Sequence, residues 1–523
     1  MLRRCGNALL LGLLVLASAC SSVGTRAVPD RPVVDWLARL AEADAFGATG
    51  HYAGLREARR IYGEAMDASL GRAGVAEKFV RATIALGLRE KELGILAADP
   101  DLDLDGFAAS EPSLSRYASW LELLSGLPNK IKGSPGIDRI AGRSLDAQLD
   151  WVNARVTEID GELEREARVD DLAAALWLAL RTAFTYKFPD KPDTKAVLAR
   201  HPDSRLAAFQ AAVSPAFELE GLESLLSRDP GFAEVHYYLG EAALMGGKLL
   251  TAEKHYLAVR EKIPESLSVL ISLAKVAFQM EETELCLEWN DKALAILPTY
   301  RDALLGKGLA LGYLGRNEEA LAVLGRLLEL GTYYMGEGHY WTAWNLHELG
   351  RLEEARRSIE SAKVFLVGVS EVAALSGIVA YKQGRFDDAE RDLRQALDLD
   401  PASSDAAFHL GRLYADRKDW LNSAIYFAGA ASALEDKEQG LEKRIEEIEA
   451  SEMAPERRTR LVIRKRVQIL AVQATKATSQ YNGAAGYHNA GSFERALDLA
   501  RLAAAHPAFA EKAADLIRLI LER

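Results

Sequence analysis

Cysteine is almost absent from this chain: Cys5, Cys20 and Cys286 are the three among 523 residues. Two fall within the first twenty positions and the third stands alone far downstream, so no disulfide framework can hold the fold and packing must do so. Basic charge is also short. Lys and Arg number 64 against 76 Asp and Glu, a formal charge of −12, which repels nucleic acid and anionic lipid surfaces. Strand-like alternation does not compete anywhere with helical spacing. The apolar stretch Ala8 to Leu16 is too short to cross a bilayer as a permanent helix. What is present is length and apolar content: half of the residues are hydrophobic, enough for a fully folded chain of several domains or a repeat array.

Catalytic equipment is equally scarce. Gly246-Gly247-Lys248 has the look of a phosphate loop, but Ala242 stands at its first glycine and Leu249 at its Ser/Thr, so the tripeptide reads as a turn. The nine histidines include no His-Glu-x-x-His, and His339 and His347 lie about two helical turns apart. Asp101, Asp103 and Asp105 before Gly106 resemble the first half of an EF-hand calcium loop. Pro112 then replaces the bidentate glutamate and Ala109 the ninth ligand position, so a polar connection between helices is favoured over a metal. No cofactor is implied, and no enzyme is expected.

Arg3 and Arg4, the apolar stretch and Leu-Ala-Ser-Ala-Cys at 16–20 make up the three parts of a secretory signal ending at a cysteine. This resembles a bacterial lipoprotein precursor, with Ala17 where the family usually has leucine. The resemblance implies removal of 1–19, lipidation of Cys20 including a palmitate-type acyl chain, and a tether over 20–32. Ser21 after the cysteine favours the outer membrane, so the expected location is the cell envelope, facing the periplasm.

Self-similarity decides the architecture. Pro230, Pro264 and Pro298 fall 34 residues apart, and Pro401 lies three periods plus one residue further on, so one residue is inserted near 332–367. Small residues keep the same register at Gly240, Ala274, Gly308, Ala343, Gly377 and Gly411. A second column follows twelve residues later at Ala252, Cys286, Ala320, Ala355, Ala389 and Ser423, small enough for helix axes to approach closely. Leu-Gly-Arg and Gln-Gly-Arg turns stand between the columns. Each unit is thus helix, tight turn, helix, and it resembles the tetratricopeptide repeat (TPR), most fully over 374–401. The expected fold is an all-α TPR-type solenoid. Six repeats cover 233–434, and a weaker unit with Leu206, Leu222 and Leu225 opens the array at 201. A terminal TPR-like unit with Ala484, Tyr487 and Ala496 occupies 476–523, ending in a capping helix from Ala508.

Before the array, 33–200 shows helical spacing in Trp36, Leu37 and Leu40, in Tyr117, Trp120, Leu121 and Leu124, and in Leu149, Val152, Val156, Ile159 and Leu163. Breaks at 127–136 and 187–193 make it an irregular helical region. Between the sixth repeat and the last unit, 435–475 is acidic from Glu435 to Glu452 and basic from Arg457 to Arg466. It reads as two longer helices whose opposite charges pair with each other.

In the family the first helix of each repeat lines a concave surface, at positions three before and one and four after the small residue of the first column. Here those places hold many rings. The resemblance implies a peptide or partner helix in a groove centred on Tyr340 and Trp344, with Tyr237, Lys275, Tyr313, His347, Tyr381, Phe408 and Arg412 around them. The family's carboxylate clamp is missing, since Lys275 and Arg412 stand alone. The chain is therefore expected to be a membrane-anchored interaction scaffold or assembly factor of an envelope complex. A lipid-anchored small-molecule-binding accessory of a solute transport system is the alternative.

Overall fold

A computed structural model describes residues 35–68, 74–95, 117, 120, 156–184, 188, 190–213, 218–331 and 334–522. The expected signal and tether with Cys20, the aspartates Asp101, Asp103 and Asp105, and the break at 127–136 lie outside these residues. Among the described residues there are 23 helices and no strand.

Eight helices precede the regular array: α1 (Trp36–Ala48), α2 (Tyr52–Asp67), α3 (Val75–Leu93), α4 (Thr157–Glu166), α5 (Asp171–Ala183), α6 (Thr194–Arg200), α7 (Arg205–Val213) and α8 (Leu219–Arg228). The array follows in pairs: α9 (Ala233–Met245) and α10 (Leu249–Lys262), α11 (Leu267–Gln279) and α12 (Thr283–Ile296), α13 (Arg301–Tyr313) and α14 (Asn317–Glu329). It continues with α15 (Met335–Glu348) and α16 (Leu352–Phe365), α17 (Ser370–Lys382) and α18 (Phe386–Leu399), and α19 (Ser404–Asp416) and α20 (Trp420–Glu449). The end is formed by α21 (Pro455–Asn489), α22 (Phe493–Ala504) and the cap α23 (Ala510–Leu521).

The two columns have a steric cause. A Cβ at Gly240 would meet the Tyr256 ring at 2.6 Å, and one at Gly377 would meet the Leu393 side chain at 2.5 Å. At Gly308 and Gly411 too the residue sixteen further on, Leu324 or Phe427 of the second helix, lies against the column. Ala252, Cys286, Ala320, Ala355, Ala389 and Ser423 are all buried. Burial pushes the Cys286 thiol up to about 12, so it behaves as a small inert core residue. A third column appears in the turns, where Gly247, Glu281, Gly315, Gly350, Gly384, Lys418 and Gly491 all have positive φ. Glycine adopts that conformation without strain; Glu281 and Lys418 do not. The inserted residue shows at the start of α15, which has 14 residues where the first helices of the neighbouring pairs have 13 and carries Ala343 one place further from its beginning.

The N-terminal helices are joined to the first repeats through a polar core. Arg89 on α3 is fully buried, with its guanidinium 3.9 Å from the Phe209 ring centroid, Nε donating to the Gly50 carbonyl at 3.2 Å and Nη1 to Glu92 at 2.7 Å. Ser266 Oγ donates to the Leu93 carbonyl at 2.6 Å.

The charged stretch forms a hairpin from the C-terminal half of α20 and the N-terminal half of α21, and it does more than pair with itself. Lys476 meets Glu435 and Glu438, and Arg466 reaches Glu449 at 3.7 Å, as opposite charges within the hairpin. Three residues of the basic limb cross to the start of the array. Arg457 binds Glu253 at 2.6 Å and also Glu282, Arg464 binds Glu284 at 2.7 Å, and Lys465 binds Glu281. Ile448, Leu461 and Val462 are buried in the hydrophobic cluster of the first repeats. The hairpin is a strap that ties the far end of the array to its beginning.

Candidate functional site

The rings of the first helices converge on one wall. Phe278 meets Tyr313 with centroids 5.4 Å apart, and Tyr313 lies 5.7 Å from Trp341 and 6.0 Å from Trp344, nearly parallel to the latter. Tyr340 sits edge-on to Trp341 at 5.2 Å. Gly312 lets the rings approach, since a Cβ there would come within 3.2 Å of Trp344. Tyr313 is 56% exposed at the centre of this wall, while Tyr340 and Trp344 are half-buried. Burial raises the Tyr340 hydroxyl to about 12, so it is a neutral donor.

A second group adjoins the first. The Tyr381 hydroxyl donates to Asp416 at 2.6 Å, the Arg412 guanidinium stands 5.1 Å from the Tyr381 ring centroid, and His409 packs against both Tyr381 and Phe408 at 5.8 Å. Burial lowers His409 to about 4, helped by Arg412, Lys382 and His347. His347 is lowered too, first by burial and then by Lys382, while its Nδ1 lies 3.0 Å from Glu348 Oε1. Both rings are thus neutral near pH 7. Lys275 and Arg412 are exposed and form no ion pair among the described residues.

The structure gathers Tyr313, Tyr340 and Trp344 around Trp341, and Tyr381, Phe408 and Arg412 around His409, with His347 close enough to His409 to lower it. Tyr237 is a correction. It is 4% exposed, with its ring 5.3 Å from Tyr238 and 6.0 Å from Tyr256, and belongs to the core of the first repeat. The cause is the next repeat: Ser268 and Ser272 of α11, with Glu241 on its own helix, meet the Tyr237 hydroxyl. Two wall residues escaped the sequence reading, Trp341 and His409. Each stands two places before a small residue of the first column, so that position would have revealed them.

Among the described residues no group of three or more His, Cys, Asp and Glu side chains could hold a metal. No described helix is long and apolar enough to cross a membrane.

With this geometry the family comparison is decisive: the tetratricopeptide repeat profile matches residues 219–266, 305–364 and 375–437. The array is built of tetratricopeptide repeats. Among solved structures, PilF of Pseudomonas aeruginosa is 20% identical, covering 38% of this chain and 89% of its own with a TM-score of 0.35. A tetratricopeptide repeat protein from Parabacteroides merdae is 16% identical over 52% of this chain and 98% of its own, with a TM-score of 0.36. YrrB, a TPR protein with an unusual peptide-binding site, is 21% identical over 34% and 91%, with a TM-score of 0.29. These likenesses concern the repeat fold and not the ligand. No curated protein matches the sequence. Tetratricopeptide arrays ordinarily serve as interaction modules rather than catalysts, and a protein-binding scaffold is the role this one supports.

Proposed function

We propose that the protein is a lipid-anchored tetratricopeptide scaffold of the bacterial envelope, lipidated at Cys20 and facing the periplasm from the outer membrane, that holds a segment of a protein partner against the aromatic wall. The observation that carries the groove is the unbroken row Phe278, Tyr313, Trp341, Trp344 and Tyr340, open to solvent at Tyr313. Large rigid rings give contact area at little entropic cost and dominate binding energy where they cluster. The anchor rests on the basic start, the apolar stretch and the small residues before Cys20.

Photo-crosslinking in cells from an unnatural residue at position 344, with exposed Glu353 as control, tests the groove. One discrete protein captured at 344 and not at 353 is expected; equal labelling at both positions sinks the reading. Trp344→Ala should weaken capture at a neighbouring probe at least tenfold while far-UV dichroism and melting stay nearly unchanged, because the ring is half-exposed. A large fall in melting temperature would make Trp344 a core residue. Acyl chains on the N-terminal peptide by mass spectrometry test Cys20.

A small-molecule accessory role is favoured by one separate observation. A cavity of about 530 Å3 opens between α1–α3 and α5–α7, lined by Asp44, Tyr62, Lys78, Arg81, His201 and Arg205 among others. Native mass spectrometry of the purified protein tests it: a retained solute, lost in Tyr62→Ala, supports this second reading.

A further inference from the structure

The strap carries a surface of its own. On α21, Ile463, Val467 and Leu470 are 55%, 60% and 63% exposed, and Ala474 continues the row. Over 461–474 the buried residues are Leu461, Val462, Lys465 and Val472, on the opposite side of the helix, and the row ends before Ala477, which is buried. Together the exposed side chains present on the order of 300 Å2 of apolar surface, the range in which such patches on monomers are often functional. The spacing of four, three and four residues is the a/d alternation of a heptad seam, which seats the side chains of a second helix.

Charge identifies the occupant. Arg460, Arg464 and Arg466 border the seam. Arg464 is engaged by Glu284, Arg466 keeps 68% of its side chain exposed while reaching Glu449 at 3.7 Å, and Arg460 makes no ion pair among the described residues. This basic edge belongs to a chain whose formal charge is −12. A second copy of the chain would set arginine against arginine along the flanks, which disfavours self-association. We propose that the seam docks an amphipathic α-helix of a partner protein, apolar at its own a and d positions and acidic along its flanks. The seam is separate from the aromatic wall and stands or falls without it.

The test uses the full chain and two synthetic helical peptides of about three heptads, both with leucine at a and d, one flanked by glutamate and the other by lysine. Titration by fluorescence anisotropy should show the glutamate-flanked peptide binding at least roughly tenfold more tightly. Leu470→Glu should remove that binding, Val467→Gln should weaken it, and Arg460→Glu combined with Arg466→Glu should invert the preference, all with unchanged melting because these side chains face solvent. Trp344→Ala should leave it intact, which separates this seam from the groove. Equal binding of both peptides, binding of neither, or binding that survives Leu470→Glu overturns the proposal. So does a dimer in sedimentation that Leu470→Glu dissolves, since the seam would then belong to a second copy.

Discussion

The first two repeats and the later ones share a motif and are held in different ways. Around α9–α12 a single hydrophobic cluster runs from Tyr52 on α2 through Val80 and Ile84 on α3 to Leu461 and Val462 on the strap. Beyond α14 the core breaks into small clusters, such as Ala343, Ile359 and Val379, then Leu393, Ala406 and Leu410, each shared by adjacent helices. The beginning of the array behaves as part of a globular domain, and the remainder as a one-dimensional stack in which a repeat knows only its neighbours. The aromatic wall sits where the stack begins, so the surface proposed to bind lies on the part of the protein with the fewest long-range constraints.

The largest effect that would break this contrast comes from the strap. Arg457→Ala leaves Glu253 and Glu282, each little exposed, without their shared cation, and should cost about 3 kcal/mol. Hydrogen exchange should rise across α9–α12 while α17–α19 stay protected; a uniform rise would mean that the two regions are one cooperative unit. Next, Ala389→Leu overpacks a fully buried site and should cost on the order of 2 kcal/mol, with faster exchange confined to α17–α19. Unchanged stability would show that the second column has been placed in the wrong register. The smallest effect is a pH dependence in the stack. His409 is held near 4 in the folded state against about 6.5 unfolded, so its neutral form contributes stability above pH 6.5 that is lost as the pH falls toward 4. His347 shifts in the same direction. Melting followed from pH 7 to pH 4 should reveal a loss of stability that His409→Gln reduces. An identical slope in that variant would assign the loss to other groups.

Much of this was legible in the sequence because a solenoid writes its contacts at short range. Gly240 and Tyr256, or Gly377 and Leu393, are sixteen residues apart, so the same steric demand recurs every period and leaves a column. The groove positions are fixed by the same register, and Tyr340, Trp344 and Tyr381 follow from it. What the sequence could not show are contacts that happen once. Arg457 and Glu282 are 175 residues apart, and nothing periodic marks them; the charge pattern of the hairpin suggested self-pairing because its acidic limb is near and the acids of the first repeats are far. Tyr237 failed for a different reason, since its hydroxyl turns inward to Glu241 and to Ser268 and Ser272 of the next repeat. Glu281 left a faint trace: it holds a turn position that is glycine in five of the seven repeats, and its side chain receives Lys465 and Gln468 of the strap.

The strap also sets an order of events during synthesis. Middle repeats need only neighbouring sequence and can form as the chain emerges, since contacts across a few dozen residues close quickly. The beginning of the array completes its core only when Ile448, Leu461 and Val462 arrive, after four-fifths of the chain has been made. Until then the acids Glu253, Glu281, Glu282 and Glu284 remain uncompensated and part of an apolar cluster stays uncovered, which is the state most prone to wrong association. The final folding step is therefore a closure between distant parts of the chain, and the earliest repeats made are the last to be finished.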